Sequence, residues 1–187
     1  MRIVSGRWRG RPLAAPEGRT TRPTSDRARQ ALFDVLAHAD WAPELEGARV
    51  FDLFAGSGAL GFEALSRGAA FTLFVETDEA ARGAIRENAD AFGAMGMTRV
   101  HRRDATDLGV RPASAGEPFD LVFLDPPYAK GLGERALVSA AEGGWLAPDA
   151  LAVFERGADE PEVELAGWDT IDARTWGAAT LLFLKHA

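Results

Sequence analysis

The segment Asp125-Pro126-Pro127-Tyr128 combines a carboxylate, a rigid turn and an aromatic ring at the end of an apolar run, residues 121–124. Such a run is typical of a strand buried on both faces of a parallel sheet. Neither proline can donate a sheet hydrogen bond, so the chain must leave the sheet at Asp125, at the edge where open α/β sheets bind ligands. Taken alone, the segment fits a solvated Asp before a proline turn equally well.

A second candidate site is the glycine pattern Gly56-x-Gly58-x-x-Gly61, which follows one apolar strand and precedes a helix. Glycines let the backbone approach a ligand closely, and the amides of the helix start point toward it. Glu76 lies at the end of the next strand, where a carboxylate can accept both hydroxyls of a ribose. The pattern fits a nicotinamide dinucleotide and an adenosyl sulfonium cofactor almost equally well, and it also fits a tight turn followed by a capping acid.

Two further acids belong to the same predicted edge. Asp104, just past the third strand, can accept a hydrogen bond from an adenine amino group, although it also fits an ordinary loop acid. Asp52 lies within an apolar strand, where a charge needs partners. Those partners are either the amides of the glycine loop or a ligand ammonium group, and the residues leave both open.

The segment 125–128 discriminates between these cofactors. A dehydrogenase has no need for it, whereas an enzyme that alkylates an exocyclic amine needs to localise a lone pair that is delocalised into the base. Asp125 and a backbone carbonyl can accept the two N–H bonds of such an amine, and Tyr128 can stack on the base. The combination favours methyl transfer to a nucleobase.

The elements that must position these residues alternate between strands and helices, which predicts a parallel sheet covered on both faces. Strands are predicted at 49–54, 71–75, 99–102, 121–124 and 150–154, with a closing antiparallel hairpin at 170–175 and 178–184. Helices are predicted from 24–26 to 38, from the glycine loop to about 67, and at 78–92 and 134–142.

Composition and length indicate one main domain of an ordinary soluble protein, with 187 residues and 47% hydrophobic residues. No apolar run reaches membrane-spanning length and no signal peptide is recognisable, so we expect a cytoplasmic protein. There is no cysteine, and the three histidines lie far apart in the sequence. We therefore expect no metal site.

The charge distribution is asymmetric. Residues 1–35 carry eight arginines and three acids, a net charge of +5, so the total of −7 leaves −12 on residues 36–187. We divide the chain into a basic arm, 1–23, whose first 13 residues form a small hairpin or irregular ribbon, and a main domain, 24–187. Within the arm, Arg7, Trp8, Arg9 and Arg11 combine phosphate-binding guanidiniums with a ring that either stacks on a base or anchors the arm.

The motifs together resemble the RsmD-type family of bacterial 16S ribosomal RNA guanine-N2 methyltransferases, within the class I S-adenosylmethionine-dependent fold. The resemblance covers nearly the whole chain: residues 2–13, Arg22-Pro-Thr-x-Asp-Arg-x-Arg29 with Leu32-Phe33, Asp52-x-Phe-Ala-Gly-Ser-Gly-Ala-Leu-Gly61 with Glu63-Ala-Leu-Ser-Arg67, and Asp125-Pro-Pro-Tyr128. It implies a Rossmann-like α/β fold with a seven-stranded, mostly parallel sheet in the order 3-2-1-4-5-7-6.

The resemblance also implies roles for residues. It implies S-adenosylmethionine as cofactor, bound by Asp52, Ala55, Gly56, Gly58, Glu76, Asp104 and Ala105, and a catalytic tetrad of Asp125, Pro126, Pro127 and Tyr128. It implies 16S ribosomal RNA or the assembling small subunit as partner, contacted by Arg7, Trp8, Arg9, Arg11, Arg22 and Thr24. We expect a monomer with neither a membrane nor a metal partner.

The chemistry of the base favours guanine. Guanine presents two neighbouring donors, N1–H and N2–H, to an acceptor-only carboxylate, whereas adenine pairs a donor with an acceptor and suits an amide. A DNA adenine, another RNA and a non-catalytic RNA-binding module remain as alternatives.

Overall fold

The computed structural model describes residues 1–16 and 25–187. Its strands are β1 (Arg49–Asp52), β2 (Phe71–Val75), β3 (Thr98–His101), β4 (Phe119–Leu124), β5 (Leu146–Gly157), β6 (Trp168–Trp176) and β7 (Ala179–His186). In this part of the chain they form one sheet in the order β3-β2-β1-β4-β5-β7-β6, which confirms the predicted order. The first five strands pair in parallel, and β7 pairs antiparallel with both β5 and β6.

The helices are α1 (Asp26–His38), α2 (Ala59–Ser66), α3 (Glu79–Ala91) and α4 (Leu132–Glu142). Helix α1 begins where predicted because the Ser25 side chain accepts a hydrogen bond from the Ala28 amide. Asp78 caps α3 in the same way through the Ala81 amide. These caps, together with the strand ends, confirm the predicted alternation of strands and helices.

Two apolar layers cover the sheet, since successive side chains of a strand point to opposite faces. On one face, Val50 of β1 and Phe123 of β4 pack in a core shared with α1, α2 and α3. On the other face, Phe51 and Val122 pack in a core shared with α4. Burial on both faces explains why these parallel strands read as continuous apolar runs.

Most strands differ from their predicted bounds by one or two residues, and two of the differences have a clear structural cause. The predicted end of β1 at residue 54 is wrong because the chain turns sharply at Phe54, whose φ is 81°. Strand β5 is longer than predicted, since it begins at Leu146 before the exposed Pro148 and extends through Glu155 by antiparallel pairing with β7. Pairing with a later strand is not visible in the local pattern.

The first 13 residues form an irregular ribbon, as predicted, with an isolated antiparallel bridge between Arg2 and Pro12. Its apolar residues Ile3, Trp8 and Leu13 are buried in the core that contains α1 and α2. The predicted boundary at residue 23 lies outside the described residues. Within residues 1–16 and 25–187, no helix has the length and apolarity needed to cross a membrane.

Candidate active site

A cavity of about 710 Å³ lies at the carboxyl edge of the sheet, where the carboxyl-terminal ends of β1, β2, β4 and β5 meet. Its volume is typical of a site for a small organic ligand. The sequence-predicted residues that line it are Asp52, Ala55, Gly56, Glu76, Asp104, Ala105, Asp125, Pro126, Pro127 and Tyr128. The fold therefore brings both predicted sites into one cavity.

The loop after β1 forms one wall of the cavity. The amides of Phe54 and Ala55 both donate to the carbonyl of Val75, at 3.3 and 3.1 Å, so the loop is held against the end of β2. The positive φ of Phe54 is rare for a residue with a β-carbon and persists only when its surroundings enforce it. This conformation places Phe54 on the cavity wall.

Glu76 follows β2 and is fixed by two backbone amides. Its carboxylate accepts hydrogen bonds from Gly56 N–H and Asp78 N–H, both at 2.8 Å. An ionised carboxylate offers about four acceptor positions, so these bonds orient the group while leaving acceptor capacity toward the cavity. The geometry is compatible with the predicted contact to ribose hydroxyls.

Asp104 lies at the cavity edge past β3. Its Oδ1 accepts hydrogen bonds from the hydroxyl and the amide of Thr106, at 2.7 and 2.8 Å. These bonds, with the hydroxyl contributing most, hold the pKa of Asp104 below its usual value. Asp104 is therefore a charged acceptor at neutral pH.

The tetrad forms the opposite wall. The chain leaves β4 at Asp125, and the turn ends at Ala129, which has a positive φ of 59°. Pro126 is buried, whereas Tyr128 is partly exposed to the cavity and donates its hydroxyl hydrogen bond to Glu155 Oε1 at 2.5 Å. The tyrosine ring is thus oriented at the cavity wall, beside Asp125.

Two acids of the cavity, Asp52 and Asp125, have raised pKa values. Burial raises the pKa of Asp52 to about 7, and the negative charge of Glu76 contributes to this rise. A hydrogen bond from the Gly61 amide acts in the opposite direction and lowers the pKa. Burial also raises the pKa of Asp125 well above its usual value, and the carboxylates of Glu155 and Asp52 raise it further. A site of this kind favours a ligand that brings positive charge or several N–H donors.

Comparison with known proteins agrees with this geometry. A family model described as "Conserved hypothetical protein 95" matches residues 1–185. The "Ribosomal RNA small subunit methyltransferase D" of Escherichia coli is 41% identical over 155 residues, covering 83% of this chain and 74% of that protein. The protein of the same name from Haemophilus influenzae is 35% identical over 178 residues, covering 95% and 89%.

Among solved structures, "Putative methyltransferase yhhF from Escherichia coli" superposes with a TM-score of 0.80 at 35% identity, covering 100% of this chain and 97% of that one. The chain belongs to the RsmD-type methyltransferase family. Its sheet is accordingly the Rossmann-like sheet of class I methyltransferases.

Gly58 of the RsmD-type loop has a packing role in addition to its predicted one. Gly58 does not line the cavity, and its amide donates to the Ala55 carbonyl at 2.7 Å. It adopts a φ of 80°, and a β-carbon there would approach the rings of Phe62 and Phe74 to 2.9 and 3.0 Å. Packing behind the loop therefore requires glycine at position 58, and its predicted contact to the cofactor stays a prediction.

Trp8 has the anchoring contacts that were predicted as the alternative to base stacking. Its ring is buried, stacks on Phe92 with ring centroids 4.9 Å apart, and its amide donates to the Ser66 hydroxyl. Gly6 reinforces this anchor, since a β-carbon at that position would lie 1.9 Å from the Ser66 carbonyl oxygen. Trp8 thus holds the N-terminal segment on α2 and α3.

The three arginines around Trp8 are exposed but not equivalent. Arg7 donates to the Leu65 carbonyl at 2.9 Å and covers the Trp8 ring at 4.6 Å. Arg11 bonds to the Ala91 carbonyl and covers the Phe92 ring at 4.8 Å. Arg7 and Arg11 thus contribute to packing as well as to surface charge. The other two predicted RNA contacts, Arg22 and Thr24, lie outside the described residues.

Sequence reasoning missed several cavity residues. Glu155 and Phe54 line the cavity, and so do Met1 and Pro16 of the N-terminal segment. Glu155 belongs to an antiparallel extension of β5, and Met1 and Pro16 reach the cavity through the folding of the ribbon. Of these residues, only Phe54 could have been found from the sequence, because it belongs to the loop motif that begins at Asp52. Within residues 1–16 and 25–187, no group of three or more His, Asp or Glu side chains has the geometry to hold a metal ion.

Proposed function

We propose that this chain transfers a methyl group from S-adenosylmethionine to the exocyclic N2 of a guanine in small-subunit ribosomal RNA. The observation that carries the proposal is the single cavity that joins the glycine loop and Glu76 to the segment Asp125–Tyr128. The names of the relatives in Escherichia coli and Haemophilus influenzae supply the class of substrate.

The cofactor half of the cavity fits the proposed methyl donor. S-adenosylmethionine is cationic at its sulfonium and carries a ribose diol and an adenine amino group. The cavity offers carboxylates for each: Glu76 for the ribose hydroxyls, Asp104 with Ala105 at the adenine end, and Asp52 and Asp125 toward the positive charge. Acidic side chains outnumber basic ones in the cavity lining, and this suits a ligand that is cationic and carries several hydrogen-bond donors.

At the tetrad, Asp125 accepts an N–H of the amine, which localises the nitrogen lone pair, and the Tyr128 ring stacks on the base and limits its movement. When bound, S-adenosylmethionine supplies an electrophilic methyl carbon: the N–C bond forms as the C–S bond breaks, its electron pair stays on sulfur, and the nitrogen afterwards loses one proton. Because Asp125 has a raised pKa, it is also suited to hold that proton briefly.

Guanine is favoured over adenine by the acceptor-only edge of the tetrad. Two neighbouring N–H groups of guanine can both be matched by carboxylate oxygens, whereas the N1 lone pair of adenine would face a negative charge. A DNA adenine or another RNA would keep the same fold and cofactor, so the substrate must be tested directly.

The test is mass spectrometry of small-subunit RNA from cells that lack this gene, before and after incubation with the protein and S-adenosylmethionine. Naked RNA and assembled subunits are treated in parallel. We expect one added methyl group, on a single guanine-containing fragment, which nucleoside digestion identifies as N2-methylguanosine. Methylation of adenine would reassign the substrate, and binding of the RNA without methylation of either preparation would favour the non-catalytic alternative.

A further inference from the structure

Glu155 lies beside Asp125 at the carboxyl edge of the sheet. Strands β4 and β5 pair in parallel up to Leu124 opposite Phe154, and Asp125 and Glu155 are the residues that directly follow this pair. Adjacent strands lie about 4.8 Å apart, and level residues of a parallel pair point to the same face. Both carboxyl groups line the cavity.

Glu155 is oriented toward the cavity by its surroundings. Its neighbour Arg156 points to the opposite face, where it pairs with Glu134 and Glu160 at 3.7 and 3.5 Å. On the cavity side, the Tyr128 hydroxyl donates to Glu155 Oε1. The ring predicted to stack on the base thus also fixes the direction of the second carboxylate.

Two neighbouring carboxylates that line one cavity form an acceptor pair that matches two neighbouring donors on one edge of a base. Guanine carries N1–H beside N2–H₂, whereas adenine and 2-aminopurine both carry an amino group beside an N1 lone pair. A carboxylate opposite N1 therefore accepts a hydrogen bond from guanine and repels the other two bases. The negative charge of Glu155 acts on Asp125 and raises its pKa, which agrees with the closeness of the two groups.

We infer that Glu155 is a specificity-determining residue that accepts the N1–H of the target guanine while Asp125 accepts the N2–H. This inference rests on the proposed function. Glu155, which lies outside the tetrad, then selects guanine over other bases that carry an amino group. The Tyr128 hydroxyl orients Glu155 for this contact.

The discriminating substrate is 2-aminopurine, because it keeps the exocyclic N2 amine and lacks only N1–H and the carbonyl group at position 6. The guanine located by mass spectrometry is replaced by 2-aminopurine in otherwise identical small-subunit RNA. The ratio of kcat/KM for guanine to that for 2-aminopurine is then measured at alkaline pH, above the raised pKa of Asp125. We expect the wild-type protein to prefer guanine by roughly 10- to 100-fold, the effect of leaving one buried acceptor unpaired.

The variant is Glu155→Gln, because glutamine has nearly the same shape as glutamate and its side-chain amide can donate an N–H to the N1 of 2-aminopurine. We expect it to lower kcat/KM for guanine and to bring the guanine preference close to one. The matched control is Asp149→Asn, which removes an exposed acid at the opposite end of the same strand and should leave the preference unchanged. Melting temperatures establish that both variants are folded.

A folded Glu155→Gln protein that retains the wild-type preference would overturn the inference while leaving the proposed function intact. If that variant does not fold, Tyr128→Phe decides, since it keeps the ring and removes the hydroxyl donor: a reduced preference supports the inference and an unchanged preference overturns it. A wild-type protein that methylates no guanine at all would overturn the proposed function and this inference with it.

Discussion

Two regions of the molecule bury acidic side chains, and they do so in opposite ways. Glu63 in α2 is fully buried beneath the N-terminal segment. Its carboxylate accepts the amides of Val4 and Ser5 at 2.9 and 3.0 Å and pairs with Arg67 at 2.9 Å and with the buried Arg29 at 3.5 Å. This acid is surrounded by donors that neutralise it.

Within residues 1–16 and 25–187, the acids of the cavity differ from Glu63. Asp52 accepts a hydrogen bond from the Gly61 amide at 3.1 Å, and the negative charges of Glu155 and Asp52 act on Asp125. Burial therefore raises the pKa of both groups. Burial alone therefore does not distinguish a structural acid from a functional one, whereas the number of hydrogen-bond donors and cations around it does.

The largest expected effect is on the compensated acid. Glu63→Gln should lower stability by about 3–5 kcal/mol, because the buried Arg29 loses its ion pair with Glu63 and Arg67 loses its charged partner. For a chain of this size the melting temperature should fall by roughly 10 °C, which thermal unfolding measures. Glu87→Gln, an exposed acid of α3, is the control and should change little. Equal melting temperatures for the two variants would show that the cluster around Glu63 is not a stability element.

The next largest effect is on catalysis. Asp125→Ala should reduce the single-turnover rate by about 10²–10³-fold, because its proposed contact to the amine strengthens in the transition state. Cofactor affinity, measured by calorimetry, should stay close to wild type. Glu63→Gln serves as the comparison, since below its melting temperature it should keep most of its turnover. An Asp125→Ala protein with near wild-type turnover would show that Asp125 is not a functional acid.

A smaller effect is the pH dependence of stability at Asp52. In the unfolded chain its carboxyl group ionises above its ordinary pKa of 3.8, whereas in the folded chain it stays neutral up to about pH 7. Its contribution to stability is therefore fully present below the ordinary pKa and is lost as pH rises through the folded value.

Asp52→Asn is neutral at every pH and keeps an acceptor for the Gly61 amide. Relative to wild type, it should gain stability between pH 5 and pH 8 by on the order of 2 kcal/mol. Thermal unfolding of both proteins at the two pH values measures this gain. A constant difference between them would mean that Asp52 is already charged in the folded protein at pH 5.

The smallest effects separate the arginines of the N-terminal segment. Arg9→Ala should flatten the slope of log RNA affinity against log salt by roughly 0.7 to 0.9 and leave the melting temperature unchanged, as for a surface phosphate contact. Arg11→Ala should lower the melting temperature, because Arg11 covers the Phe92 ring and bonds to the Ala91 carbonyl. Salt titrations and thermal unfolding of both variants decide this. An unchanged slope for Arg9→Ala would leave the basic charge of this segment without a role in RNA binding.

Much of this protein was determined by the sequence alone. Helix positions and the parallel sheet followed from the alternation of apolar runs with capped helices, and the strand order followed from the resemblance to the family. Because parallel strands all end at one edge, the positions of Glu76, Asp104 and Asp125 after their strands were enough to predict a common cavity. These features depend on local pattern and on a general rule of sheet topology.

Only the tertiary structure decided the role of residues whose partners lie far away in the chain. Trp8 is an anchor because Phe92 lies beneath it, and Gly58 is a packing residue because Phe74 approaches it. Glu155 reaches the cavity because β7 extends β5, and Glu63 is compensated because Arg29 folds onto it. The physical reason is the same in each case: burial and charge compensation are set by neighbours in space, which sequence spacing does not encode.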